Sequence, residues 1–269
     1  LVFDADSKVD EDPDEGILIR EQIHMQYVIV VSKLGIGFIV PLLLSLFLAT
    51  NIIRDEIENE TMHYISGKPL DKGEIILYRL IAFLVVSWPV IFVLAAFQAI
   101  ICIILGPSES LFRLDEISIW VAAMIAAWLL TLAYGVLFAV FGSIHKFGGI
   151  AALFVGLWEA MMCLLSIGLP ESTNITRVSL SRWTFDIIDA ILLRNTGDLQ
   201  RTTAQMEAIK YPENWEGPRA EDFTELWINQ QVIGSSTTIS VIVSSIVIIS
   251  FSILCLYIGR TILATRELE

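Results

Sequence analysis

Leu80 to Leu105 reads LIAFLVVSWPVIFVLAAFQAIICIIL, a run without one acidic or basic side chain. At about 1.5 Å rise per residue, roughly 20 apolar residues cover the ~30 Å hydrocarbon core of a bilayer. This run is long enough to cross. Working outward, the same pattern recurs. LGIGFIVPLLLSLFLATNII occupies 34 to 53, ISIWVAAMIAAWLLTLAYGVLFAVFG 117 to 142, GGIAALFVGLWEAMMCLLSIGL 148 to 169, and SSTTISVIVSSIVIISFSILCLYIGR 235 to 260. The 269-residue chain is 55% hydrophobic with a mean hydropathy of +0.69, whereas a soluble domain sits near 45–50% apolar. The expected fold is an all-α integral membrane domain over 1–269. Its spans fall at about 27–53, 75–105, 117–142, 148–169 and 235–260. Pro41 and Pro89 lie inside spans, where neighbouring helices support the kinks they introduce.

Net charge is −13, with eight of the acids in residues 1 to 26 against only Lys8 and Arg20. Phosphate recognition needs clustered Lys and Arg, so nucleic acid is not an expected partner. The acidic start reads as a solvated flap. Cys102, Cys163 and Cys255 each fall within an apolar run and read as small buried hydrophobes.

Lys and Arg near the span ends orient the chain. With residues 1 to 26 outside, the cytoplasmic segments hold Arg54, Lys68, Lys72, Arg79, Lys146, Arg260 and Arg266. The short external segments hold Lys8, Arg20, Lys33 and Arg113, and the long loop 170–233 counts little because long loops cross regardless of charge. The N-terminal segment is then external and the C terminus cytoplasmic, in a multi-pass protein of the cell membrane. An odd number of spans with an external start leads to the expectation of one further helix upstream of Leu1.

Within the external loop, SLSRWTFDIIDAILLR (179 to 194) has Trp183, Ile187, Ile188 and Ile191 near helical spacing, with Ser181 as a cap. It reads as an amphipathic helix that lies along the outer interface or covers the bundle. Asn174-Ile175-Thr176 is a glycosylation sequon on the external side; Asn59-Glu60-Thr61 is one on the cytoplasmic side.

Nothing in the chain has the Gly-x-x-x-x-Gly-Lys-Ser/Thr form of a phosphate loop; GSIHKFGG near 142 to 149 lacks its ending. His24, His63 and His145 are widely separated and form no ligand pattern. No nucleotide hydrolysis, metal or cofactor is expected in this chain itself. Glu159 is the one acid deep inside a span. A charge there costs at least about 2.5 kcal/mol on insertion scales and usually faces a bundle interior or cavity. Two readings stand: a contact in a substrate or ion path or a coupling group, or a protonated Glu hydrogen-bonded to a neighbouring helix. Trp88, Trp120, Trp128 and Trp158 read as packing or interface anchors rather than a ligand box.

Between the first two spans lies RDEIENETMHYISGKPLDK, residues 54 to 72. Asp55, Glu56 and Glu58 fall in a first helical turn, where acids suit the helix dipole. Ile57, Thr61, Tyr64 and Ile65 share one face, and Gly67 with Pro69 ends the helix. A rigid amphipathic helix between two spans suits a lever.

That stretch resembles the membrane subunits of type-two, exporter-type ABC transporters, which carry an acidic residue, then Thr, apolar residues, Pro, an aliphatic and a basic residue. Here these are Glu56, Thr61, Tyr64-Ile65, Pro69-Leu70 and Lys72. The chain departs from the family in having Glu60 rather than Gly before Thr61, Tyr64-Ile65 rather than Leu-Leu, and Lys72 rather than Arg. A helical outer loop before the last span adds to the likeness, which covers nearly the whole chain as the second to sixth of six helices. The resemblance implies that segment 54–74, with Glu58 included, is the coupling helix docking on a separate ATP-binding subunit that holds ATP and Mg. It implies a second permease copy, as homodimer or heterodimer, and leaves room for an external partner protein at loop 170–233. Export and force transmission to that partner are both open. An anchoring subunit of a larger complex and a membrane-embedded enzyme using Glu159 are the other classes.

Overall fold

The computed structural model describes His24 and residues 27–50, 72–105, 117–144, 148–168, 174–192 and 237–265. Every element among them is helical. Five are long and apolar enough to cross a membrane. They are α1 (Tyr27–Ala49), α2 (Lys72–Leu105), α3 (Ile117–Ile144), α4 (Gly148–Gly168) and α6 (Thr237–Thr265). Between α4 and α6 come a short 3-10 turn, Asn174–Val178, and a helix over 180–192, here α5. Compared with the expected spans, α1 gives way to a turn at Thr50, α2 starts earlier, and α6 continues to Thr265.

The bundle is organised around α3, which packs against α1, α2, α4 and α6. Its composition explains why. Ala122, Ala123, Ala126, Ala127, Ala133 and Ala139 are all buried, and small side chains let membrane helices approach closely. At Gly142 a Cβ would lie 2.6 Å from the Thr50 carbonyl oxygen, so backbone meets backbone there. Trp88 of α2 stacks on Trp128 of α3, ring centroids 5.3 Å apart, and the Trp128 indole N–H donates to the Trp88 carbonyl. Tryptophan packing is the observed use of that pair, while Trp158 faces outward from α4. Several buried hydroxyls are satisfied within their own helices. Ser87, Ser143 and Ser252 each donate to a carbonyl three or four residues back.

Large apolar side chains cover the outside: Val85, Phe92 and Phe97 on α2, Phe154 and Leu164 on α4, Ile253 and Tyr257 on α6. Exposing that area to water would cost about 25 cal/mol per Å², and hydrocarbon removes the cost. The fold is that of a multi-pass helical membrane protein.

Helix α1 is wound unusually. Val31–Ile39 and Ser45–Ala49 run in wide π-type turns around a short α segment, Val40–Leu44. The Val40 N–H donates to the Gly35 carbonyl, five residues back. Pro41 follows at once and has no N–H to donate, so the change of winding falls where the ladder is already interrupted.

Candidate functional site

The polar groups of the interior gather where α1, α3 and α4 meet α5. Glu159 is buried, eleven residues after the start of α4 and nine before its end. At about 1.5 Å per residue that is ~14–16 Å from either end, near mid-bilayer if α4 spans. Four donors converge on its carboxylate. The Tyr134 hydroxyl of α3 donates to Oε2 at 2.8 Å, and the Ser179 hydroxyl donates to the same oxygen at 2.6 Å. The backbone N–H of Leu180 reaches Oε1 and that of Ser181 reaches Oε2, both at 3.2 Å. Ser181 Oγ lies 2.5 Å from Ser179 Oγ and extends the network.

Residues 180 and 181 open α5, and the first N–H groups of a helix have no partner inside it. In hydrocarbon no water can supply one. Glu159, from a different helix, therefore caps α5, and its charge sits at the end of the helix dipole that favours an anion. The carboxyl of Glu159 is thus hydrogen-bonded both to α3, through Tyr134, and to the start of α5.

From that cap α5 runs toward the Tyr27 end of α1. Its Ile188 lies against Gly37, where a Cβ would come within 2.9 Å of Ile188 Cδ1. Four residues of α1 nearer the Tyr27 end, the Lys33 ammonium donates to both carboxylate oxygens of Asp189, at 2.7 and 2.9 Å. It also sits 5.2 Å from the centroid of the Phe185 ring. Lys33 and Asp189 are 5% and 2% exposed at the side chain, so the pair is shielded from solvent. Arg182 lies 3.5 Å from Asp186, one turn along the same helix. Cys163 of α4 is buried as well.

The segment before α5 is tied as firmly. The Ser179 N–H donates to the Thr176 carbonyl, and the Trp183 indole N–H donates to the Arg177 carbonyl. Helix α5 thus starts at Glu159 inside the bundle and runs back toward the Tyr27 end, while Ile175, Arg177 and Val178 of the preceding 3-10 turn are exposed. The helix expected along the interface or over the bundle is buried on nearly every face. Its acids look like a solvated face until Lys33 and Arg182 are placed beside them. The cap position belongs to Ser179 rather than Ser181, because the helix starts at residue 180.

Of the residues singled out from the sequence, Glu56, Glu58, Thr61, Tyr64, Ile65 and Pro69 lie outside the described residues. Lys72 is the first residue of α2. Asn174 opens the 3-10 turn, and Thr176 of its sequon is buried. Among the described residues no group of His, Cys, Asp and Glu could hold a metal ion. Sequence reasoning passed over Tyr134, Ser179 and Asp189 and placed Lys33 at a span edge. The one available signal was that Lys33 and Glu159, both inside expected spans, each need a buried polar partner.

The fold and this interior define a multi-pass membrane protein with a buried polar network holding helix α5. Comparison with family models, curated proteins and solved structures finds no match for the chain.

Proposed function

We propose that the chain is the membrane-spanning permease subunit of a type-two, exporter-type ABC transporter. In this reading it couples ATP hydrolysis by a separate subunit to export of a substrate, or to force on an external partner, across the cell membrane. The observation that carries the reading is the stretch from Asp55 to Lys72, set between two apolar helices. Glu56, Thr61, Tyr64, Ile65, Pro69 and Lys72 match the family's coupling pattern there. The layout supports it, since a helical segment folded into the bundle precedes the last span. The chain contains no phosphate loop, so the nucleotide chemistry belongs to the partner. Two copies of this chain, or this chain and a relative, would form the translocating pair, with the Tyr27 end of the bundle external.

Gentle solubilisation followed by identification of the bound subunits tests the proposal. An ATP-binding protein in stoichiometric amount, with ATPase activity that depends on this chain, is the expected result. A stable complex without any nucleotide-binding protein would turn the reading to an anchoring subunit.

A further inference from the structure

Three described cations stand on or beside α5, and the chain supplies an acid to two of them. Lys33 holds Asp189 at 2.7 Å, and Arg182 lies 3.5 Å from Asp186. The third, Arg177, lies in the 3-10 turn with its side chain exposed. Among the described residues no acid pairs with it. Its backbone is fixed nonetheless. The Arg177 carbonyl accepts the Trp183 indole N–H, and Ser179, two residues on, is bound to Glu159. Two residues of chain reach at most ~7 Å, whereas Glu159 lies about 14–16 Å from either end of α4. Arg177 therefore leaves the chain within the thickness that α4 spans. Trp183 stands on the first turn of α5, on the Tyr27 side of Glu159, which assigns the leaflet.

The surroundings of Arg177 are apolar. Ile175 and Val178 are 61% and 73% exposed, a surface suited to hydrocarbon rather than water. The turn packs on α4, whose Leu157, Met161 and Leu164 are exposed as well. A cation in such a setting needs an anion, and arginine extends its stem along apolar surface to reach one. Its planar guanidinium matches phosphate, two N–H groups to two oxygens. An anion that fits here must also carry an apolar body.

We propose that Arg177 binds the phosphate of an anionic phospholipid in the leaflet at the Tyr27 end, with the acyl chains lying on Ile175, Val178 and the outer face of α4. The inference goes beyond the permease reading and needs only that α4 crosses the bilayer.

Photo-crosslinking of the full chain in phosphatidylcholine nanodiscs tests it, using phosphatidylglycerol with a diazirine in one acyl chain. Crosslinks located by mass spectrometry are expected on 174–178 and on α4, in higher yield than from the matching phosphatidylcholine probe. Unlabelled phosphatidylglycerol competes, and water-soluble glycerol phosphate does not. Arg177→Gln lowers the phosphatidylglycerol yield about tenfold, the loss expected for one hydrogen-bonded contact between charged groups. Arg177→Lys keeps the charge without the fork and retains part of the yield. Crosslinking of the phosphatidylcholine probe to α2 stays the same in both variants, which separates a lost site from a lost fold. Equal yields from the two probes would mean boundary lipid only and overturn the proposal. So would competition by glycerol phosphate, which marks a soluble anion, or an Arg177→Gln yield equal to that of the unaltered chain. No crosslink on 174–178, as when an acid of a second copy covers Arg177, overturns it too. The permease reading stands or falls on the copurification, which these yields do not touch.

Discussion

At Glu159 one carboxylate serves Tyr134, Ser179, Leu180 and Ser181, so changing it alters four hydrogen bonds together. Glu159→Gln keeps the volume but turns an NH2 toward groups that are themselves donors. At least one buried donor then loses its acceptor, at about 1–3 kcal/mol, and the charge at the helix end, worth up to ~2 kcal/mol, goes too. Tyr134→Phe removes one donor and leaves three, a loss of about 0.5–1.5 kcal/mol. Thermal unfolding in detergent should therefore show a clearly larger fall for Glu159→Gln. Equal falls would mean that the carboxylate does not act as the cap. Lys33 follows a different logic. Lys33→Met leaves the Asp189 carboxylate without its buried counter-ion, at a cost of about 3–5 kcal/mol, whereas Lys33→Met with Asp189→Leu replaces the pair by apolar groups and should recover most of the stability. A double variant no more stable than the single one would show that the site depends on the charges for packing.

Between elements the decisive contacts are made by backbone. Gly142→Ala would put a methyl 2.6 Å from the Thr50 carbonyl oxygen, and a main-chain atom cannot rotate away as a side chain can. Helices α1 and α3 must part, at about 1–3 kcal/mol. Gly35→Ala serves as the comparison, because its Cβ would meet only Val31 Cγ1 at 3.6 Å, an ordinary contact. Its melting temperature should hardly move. These contacts also mark how far the sequence could be read. The five spans are legible because hydrocarbon demands unbroken apolar runs, which any window along the chain detects. Helix α5 is legible as a helix, from Trp183, Ile187, Ile188 and Ile191, but not as a buried one. Asp186 and Asp189 look like a wet face until residues far away in sequence, Lys33 above all, arrive beside them. Tyr134 and Ser179 give no signal of their own, since a tyrosine in a span and a serine in a loop are ordinary. The wide turns of α1 are equally silent, being a matter of hydrogen-bond register and not of residue type.

Across the whole molecule, a single helix connects the two regions of interest. The chain enters α1 near Lys33, which pairs with Asp189 of α5, and leaves it toward the charged stretch 54–72. In the proposed topology these ends lie on opposite sides of the bilayer. If all five helices cross in alternation, residues 51–71, 145–147 and 266–269 are expected on one side, with 106–116 and 193–236 on the other. Impermeant labelling of Ser66→Cys from the cytoplasmic face alone, and of Ser110→Cys from the external face alone, is expected. Labelling of both from one face would break the alternation. The connection then makes a functional demand on the cytoplasmic stretch. Thr61 and Tyr64 share the face assigned to docking, and an aspartate there would place a charge in an apolar contact that must lose its water. The five apolar spans that drive insertion are left unchanged by these substitutions, so membrane insertion should stay as it is. Thr61→Asp with Tyr64→Asp should therefore uncouple ATP hydrolysis in the copurified complex from transport, and lower the amount of ATPase retained. If the doubly substituted chain binds its partner and works as before, residues 54–72 act only as a linker, and the force on α1 must enter elsewhere.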